Sequence, residues 1–475
     1  MTAPFPTTPP PAPRAVLRDL LALAGLDGGL ADTAELTGSE PVLPSSFAVG
    51  TLAQVTIAAT ALAADALWRL RGGAEQEVAV DMQHAACEFR SERLFRVDGK
   101  APQRLWDPIA GVYRTGDGRW VRLHTNFPHH RDGILALLDC AYERAAVQQA
   151  LDGWQAADFE DAVAERGLVA TLMRSPGEWL DSPQGAALAR QPLLSIERIG
   201  ESAAEPPLAA PRPLGGLRVL DLTRIIAGPV AGRALAAHGA EVMRIAGPHL
   251  PFIEPLVIDS GRGKLSAHLD LRQANGREGL ARLLREADVF IQGYRPGAVA
   301  GHGFGPVEAA ALRPGVVYVS LNAYGYDGPW AARRGFDSLV QTASGINYAE
   351  AEAAGAEGPR ELPCQALDHA SGYLMALGAI AALVRRAREG GSWHVRVSLA
   401  RSGRWLQSLG RIAGGHDCPE PGERYLESLM ETQDSGFGRL SAIRHAAEMS
   451  QTPARFARPS VPLGSHPAAW PDRNA

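Results

Sequence analysis

"LRVLDLTRIIAGPVAGRALAAHGAEVMRI", residues 217–245, decides the fold. A short apolar run (217–222) leads into "GPVAGRALAAHGA" (228–240), whose apolar residues recur at helical spacing, and then into "EVMRI" (241–245), a second strand pattern. The alternation continues. "GREGLARLLREA" (276–287) reads as a helix, "DVFIQG" (288–293) as a strand, and "GVVYVSLNAYG" (315–325) as another. Strands alternating with helices predict an α/β fold, a parallel sheet with helices on both faces.

Size and composition bound what such a fold can do. The 475 residues are 46% hydrophobic and 21% charged, enough for two or three cored domains. A net charge of -5 with no long basic run argues against nucleic acid or an anionic membrane as partner, and points to small-molecule chemistry. Cys87, Cys140, Cys364 and Cys418 lie far apart without a CxxC pair, so neither a disulfide framework nor a cysteine metal site is expected, and a reducing cytoplasm fits. No basic start followed by an apolar h-region opens the sequence, and no uninterrupted apolar run reaches about 18 residues.

Proline and glycine divide the chain. Residues 1–14 read as a disordered leader, and 15–199 as a helix and strand segment followed by a smaller α+β domain. In that segment a long alanine-rich helix covers about 48–71, "QEVAVDM" is a strand, "GVYRTGDGRWVRLHT" (111–125) a hairpin, and helices follow at 131–151 and 157–173. "GESAAEPPLAAPRPLGG" (200–216) reads as a linker between two globular parts, 217–415 as the α/β domain, and 416–475 as a helix and an extended, proline-rich tail.

One acidic residue stands out. In "CQALDHASGYLMALGAIAALVRRAREGG" (364–391), Asp368 opens a long apolar helix, where an aspartate ordinarily serves as N-cap. An internal echo weakens that reading. Residues 62–89 and 379–406 share one plan: apolar helix, basic last turn, paired glycines, strand, second helix. The first copy is preceded by "LPSSFAVG" (43–50), which holds no carboxylate, so Ser45 or Ser46 would cap equally well and the fold has no need of an aspartate at 368.

Taken in order, "LRVLDLTRIIAGPVAGRALAAHGAEVMRI", "GRGKLSAHLDLR", "ADVFIQGYRPGAVAGHGFG", "LNAYGYDGPWAARRGFDSLVQTASG" and "LDHASGYLMALGAIAALVRR" resemble the family III CoA-transferases, the CaiB/BaiF-like acyl-CoA transferases and racemases, over about 215–410. The resemblance implies a Rossmann-like catalytic domain with Asp368 as catalytic carboxylate. It further implies coenzyme A and acyl-CoA as substrates rather than a resident cofactor, a small carboxylic acid as second substrate, and a homodimer. The small-domain segments also match the family but precede the catalytic region instead of following it. The chain therefore resembles a rearranged fusion of two incomplete copies, either interlocked as a homodimer or closed as an intrachain pseudo-dimer.

The same resemblance implies that Ile225, Ile226 and Ala227 touch the nucleotide, that Tyr294 lies near the adenine, and that Arg334 contacts phosphate, with Arg295 and Asp337 as further binding residues. Arg244 and the turn of Arg262 and Lys264 are additional cationic candidates. Gly372 is expected to leave room for a thioester. The family's racemases carry a histidine where Phe336 stands, so a 2-methylacyl-CoA racemase is the runner-up, followed by a catalytically silent CoA-binding paralogue. Other constellations are weaker. His124, His129 and His130 fit no metal template and read as exposed, "GHDC" (415–418) has no partner cluster, and no GxSxG occurs.

Overall fold

The computed structural model describes residues 9–103 and 105–472. Its centre is a seven-stranded sheet built from β1 (Leu194–Gly200), β2 (Arg218–Leu222), β3 (Glu241–Ala246), β4 (Lys264–His268), β5 (Val289–Gln292), β6 (Val317–Asn322) and β7 (Ser392–Ser398). The spatial order is β4-β3-β2-β5-β6-β7-β1. Strands β2 to β7 run parallel, and β1 joins β7 antiparallel at the edge. β2 is buried along its whole length, as a strand covered on both faces must be. Val289 of β5 lies in register between Val219 and Val317, and all three are fully buried. The chain runs outward from β2 to β4 on one side and resumes at β5 on the other, which leaves a crevice at the strands' carboxyl ends.

Two long helices fill the space beside this sheet. α1 (Val49–Leu70) and α4 (Ala366–Glu389) are long and apolar enough to cross a bilayer, yet 94% and 100% of their most apolar stretches are buried inside the protein. They pack on each other, and the Thr60 hydroxyl donates to the Tyr373 carbonyl at 3.1 Å. Between them in the chain lie α2 (Ala227–Ala237), which packs on α4, and α3 (Asp337–Ala343). The repeated plan is visible: α1 is followed by a strand (Val78–Asp81) and a helix (Met82–Glu88), as α4 is followed by β7 and a helix (Leu399–Ser408).

Several expectations change. Of the segment 200–216, Gly200 ends β1 and the rest is neither helix nor strand, but it joins β1 to β2 of one sheet, and one apolar core runs through residues from both sides of it. Residues 1–8 of the expected leader lie outside the described residues, and a helix already begins at Pro13, a residue suited to the first helical turn. In the small domain the helix expected at 131–151 breaks at Asp139, which has φ 47, into Pro128–Leu138 and Arg144–Leu151. The one expected at 157–173 stops at Glu165, and Ala170–Leu172 adds a third strand to the hairpin Gly111–Arg114 and Trp120–Leu123. After 416 only Glu423–Ser428 is α-helical among the described residues. Met430–Ser435 and Gly438–Ile443 form a hairpin, with Gly438 at φ 122, and Ala447–Met449 pairs with the strand at 78–81. Their polar alternation hides these strands in the sequence. The tail beyond is extended and runs beside β4, where the His466 amide donates to the Ser266 carbonyl at 2.8 Å.

Gly372 faces the protein interior rather than a ligand. A Cβ there would meet the Ala227 carbonyl oxygen at 2.5 Å and Val230 Cβ at 2.7 Å, so it permits close approach of α4 to α2. Gly372→Ala should therefore cost about 1 to 3 kcal/mol in urea unfolding. Unchanged stability would contradict this packing.

Candidate active site

The crevice is shaped by one strained residue. Between the end of β2 and the start of α2, Ile225 adopts φ 72, a conformation that β-branched side chains rarely take. Such strain persists where the surroundings over-determine it, often at a working site. The loop turns Ile225, Ile226 and Ala227 onto the wall of a cavity of about 400 Å³. Tyr294 and Arg295, after β5, form a second wall, and Arg334 and Phe336 a third, with Asp368 also on the lining. Six of the expected binding residues thus meet the expected catalytic one. Arg334 is fixed by donating to the Gly167 carbonyl at 2.9 Å, a contact that ties the small domain to the mouth.

Asp337 is placed differently. It is the first residue of α3, buried, and lies off that cavity's lining. It accepts a hydrogen bond from the Asp368 amide at 2.9 Å and others from the Leu367 amide and the Gln341 side chain, so its carboxylate caps the start of α4. Asp368 is the third residue of the helix, its amide engages Asp337, and its own carboxylate accepts no hydrogen bond among the described residues.

The first copy has a carboxylate cap too. Glu40, nine residues ahead of the first residue of α1, accepts from the Thr51 amide at 2.6 Å. Aligning the paired glycines 72–73 with 390–391 sets Gly50 opposite Asp368. The duplicated helix keeps the cap and lacks the reactive side chain.

Burial raises the Asp368 pKa well above the ordinary carboxylate range, and the charges of Asp337 and Glu92 raise it further. Burial also raises Asp337, to about 6, against the opposing pull of its hydrogen-bond donors. Because those donors favour the anion at Asp337, the shared proton belongs on Asp368 in the resting site.

Sequence reasoning missed the groups that come from the first part of the chain. Glu92, in the short helix Ser91–Leu94, is buried and bonds His369 Nε2 at 3.1 Å and Arg93 Nε at 3.1 Å, and these partners outweigh desolvation and hold its pKa at about 2. Of the three histidines expected to be exposed, only His129 is. His124 and His130 are buried, and burial lowers both to about 3. His124 stacks on Phe336 at 3.8 Å, while His129 and His130 line the cavity. Arg224, also on the lining, donates to the Pro251 carbonyl and lies over the Phe127 ring. No local pattern marks Glu92, His124 or His130, because only the docking of the first part of the chain brings them to Asp368, whereas Arg224 sits in the loop of Ile225 itself.

The remaining cationic candidates are elsewhere. Arg262 is buried and donates to the Ile443 carbonyl at 2.7 Å, and Lys264 is buried against Asp221 at 2.6 Å, so neither forms an open phosphate turn. Arg244 is buried and lines a small adjoining pocket with Tyr294.

The family model for CoA-transferase family III matches residues 214–424. An acyl-CoA transferase of Gibberella moniliformis is 32% identical over 76% of this chain and 70% of its own length. The acetyl-coenzyme A transferase nodX of Hypoxylon pulicicidum is 32% identical over 63% of this chain and 54% of its own length, so the chain spans about half of that relative. A crystal structure of a CaiB/BaiF family protein from Brucella suis is 26% identical, with a TM-score of 0.36, over 48% of this chain and 65% of that one. The chain belongs to the family III CoA-transferases.

Proposed function

We propose that the chain moves coenzyme A between an acyl-CoA and a carboxylic acid through an aspartyl thioester on Asp368. The observation that carries this reading is a carboxylate that accepts no hydrogen bond among the described residues, on the lining of a cavity that also bears Arg224, Arg295 and Arg334. Those guanidiniums suit the phosphates of coenzyme A. Ionised Asp368 attacks the thioester carbon, the C–S bond breaks, and an anhydride and the CoA thiolate result. The thiolate then attacks the aspartyl carbonyl and releases the donor acid, leaving the aspartyl thioester. An acceptor carboxylate repeats these steps in reverse. Resting protonation of Asp368 keeps a buried anion from forming before substrate arrives, at the cost of an acid limb in the rate profile.

A racemase needs two proton carriers at the α-carbon. Phe336 stands where the family's racemases carry histidine, and the imidazole stacked on it, His124, is held neutral. The transferase reading is therefore preferred. The packing of α1 on α4 within one polypeptide further supports an intrachain pseudo-dimer, with the small-domain groups acting on the chain's own Asp368.

Asp368→Asn replaces a protonated, unbonded carboxyl by an isosteric neutral group. It should leave the unfolding midpoint unchanged or raised, while transfer between acyl-CoA and free acid falls by about three orders of magnitude or more. Retained activity would remove Asp368 as nucleophile.

The pH dependence tests the neighbouring charge. Because the reactive form is the carboxylate and its pKa is raised, transfer should rise with pH through that raised value. Asp337→Asn removes one negative neighbour while keeping an acceptor for the helix amides, so the acid limb should move to lower pH. The two raised groups contribute stability below the ordinary aspartate pKa and lose it as pH rises through about 6 and above, so the variant should also lose less stability on alkalinisation. An unmoved acid limb in the rate profile would exclude coupling of the two carboxylates.

A further inference from the structure

Asp368 borders a second, much smaller space, of about 40 Å³, that adjoins the main cavity. Ile225, Ile226, Phe336 and Asp368 line both, and together form the partition between them. Leu105, Trp106, Ile253 and Leu256 add apolar surface to the lining of the smaller space alone. Its charged lining is carboxylate-rich. Glu92 and Asp337 face it, and Arg93, the cation on the same wall, is bound to Glu92 at 3.1 Å and to the Pro363 carbonyl at 3.2 Å. His124, also on this wall, carries no charge near neutral pH.

We propose that this chamber receives the acyl group of the thioester, and that it selects compact, uncharged alkyl groups over acyl groups that end in a second carboxylate. The inference rests on Asp368 as the reacting carboxylate. With the thioester carbon at Asp368, the sulfur and its long polar arm leave through the arginine-lined cavity, and the substituent on the other side of the carbonyl points into the chamber. An alkyl group there loses water against isoleucine, leucine and tryptophan. A terminal carboxylate would be desolvated beside Glu92 and Asp337, facing no cation that is not already paired with a carboxylate among the described residues. Trp106, the bulkiest side chain on this lining, limits chain length.

Non-reactive thioethers test the chamber on the wild-type protein without requiring any transfer. Calorimetry would compare coenzyme A, S-isobutyl-CoA and S-(3-carboxypropyl)-CoA. S-isobutyl-CoA should bind about tenfold more tightly than coenzyme A, and the carboxypropyl thioether no more tightly than coenzyme A. Tighter binding of the carboxypropyl thioether, or equal binding of all three, overturns the proposal. A second arm uses Trp106→Ala, which should improve binding of S-hexyl-CoA relative to S-isobutyl-CoA. An unchanged ratio overturns Trp106 as the limit on chain length. An isobutyl preference in a protein without transferase activity would sink the nucleophile and leave the chamber standing, so the two readings fail separately.

Discussion

The hydrogen bond from the Asp368 amide to Asp337 is the constraint on which the site depends. A reactive carboxylate at the start of a buried helix must not itself be consumed as the cap, because a carboxylate that accepts amide hydrogen bonds is a poorer nucleophile and a stronger acid. Asp337, from a different helix, takes that task and leaves the Asp368 side chain open to the cavity. The cost is two carboxylates side by side away from water, which raises both pKa values and leaves a proton where the nucleophile will be needed. Position and reactivity are thus obtained at the expense of the charged form.

Around that point the fold is a machine for burying one helix. α4 is apolar on every side, as a helix enclosed by α1, α2 and the sheet must be. The close approach at Gly372 fixes its start against the Ile225 loop, so the strain at Ile225 and the placement of Asp368 belong to one packing problem. The first copy of the helix solves the same problem without chemistry. Glu40 caps it, Gly50 stands where the aspartate would be, and its buried surface becomes the support for α4.

Much of this is legible in the sequence, for identifiable reasons. The central strands read correctly because a strand buried on both faces is a continuous apolar run, and the intervening helices because their periodicity is strong. Asp368 emerged from the echo, and the loop residues 225–227, Tyr294, Arg295 and Arg334 from a family resemblance. The cap was not legible. Asp337 is 31 residues from Asp368, and Glu40 lies outside the echoing segment, so neither has a local signature. Glu92, His124 and His130 reach the site only through docking of the first part of the chain. Arg262 and Lys264 misled because a glycine-flanked basic pair looks the same whether its charges meet phosphate or, as here, buried carboxylates and carbonyls. The hairpin after 430 was missed because its alternation is carried by polar residues.

The central claim is that Asp368 forms and breaks covalent bonds to the acids it serves. In the proposed sequence each turnover returns Asp368 with one oxygen taken from the acceptor acid. The most direct measurement is therefore mass spectrometry of the peptide carrying Asp368 after turnover with an acyl-CoA and an acceptor acid whose carboxylate oxygens carry a heavy isotope. The account predicts label in that side chain and none in the segment around Gly50. Turnover that leaves Asp368 unlabelled would contradict it.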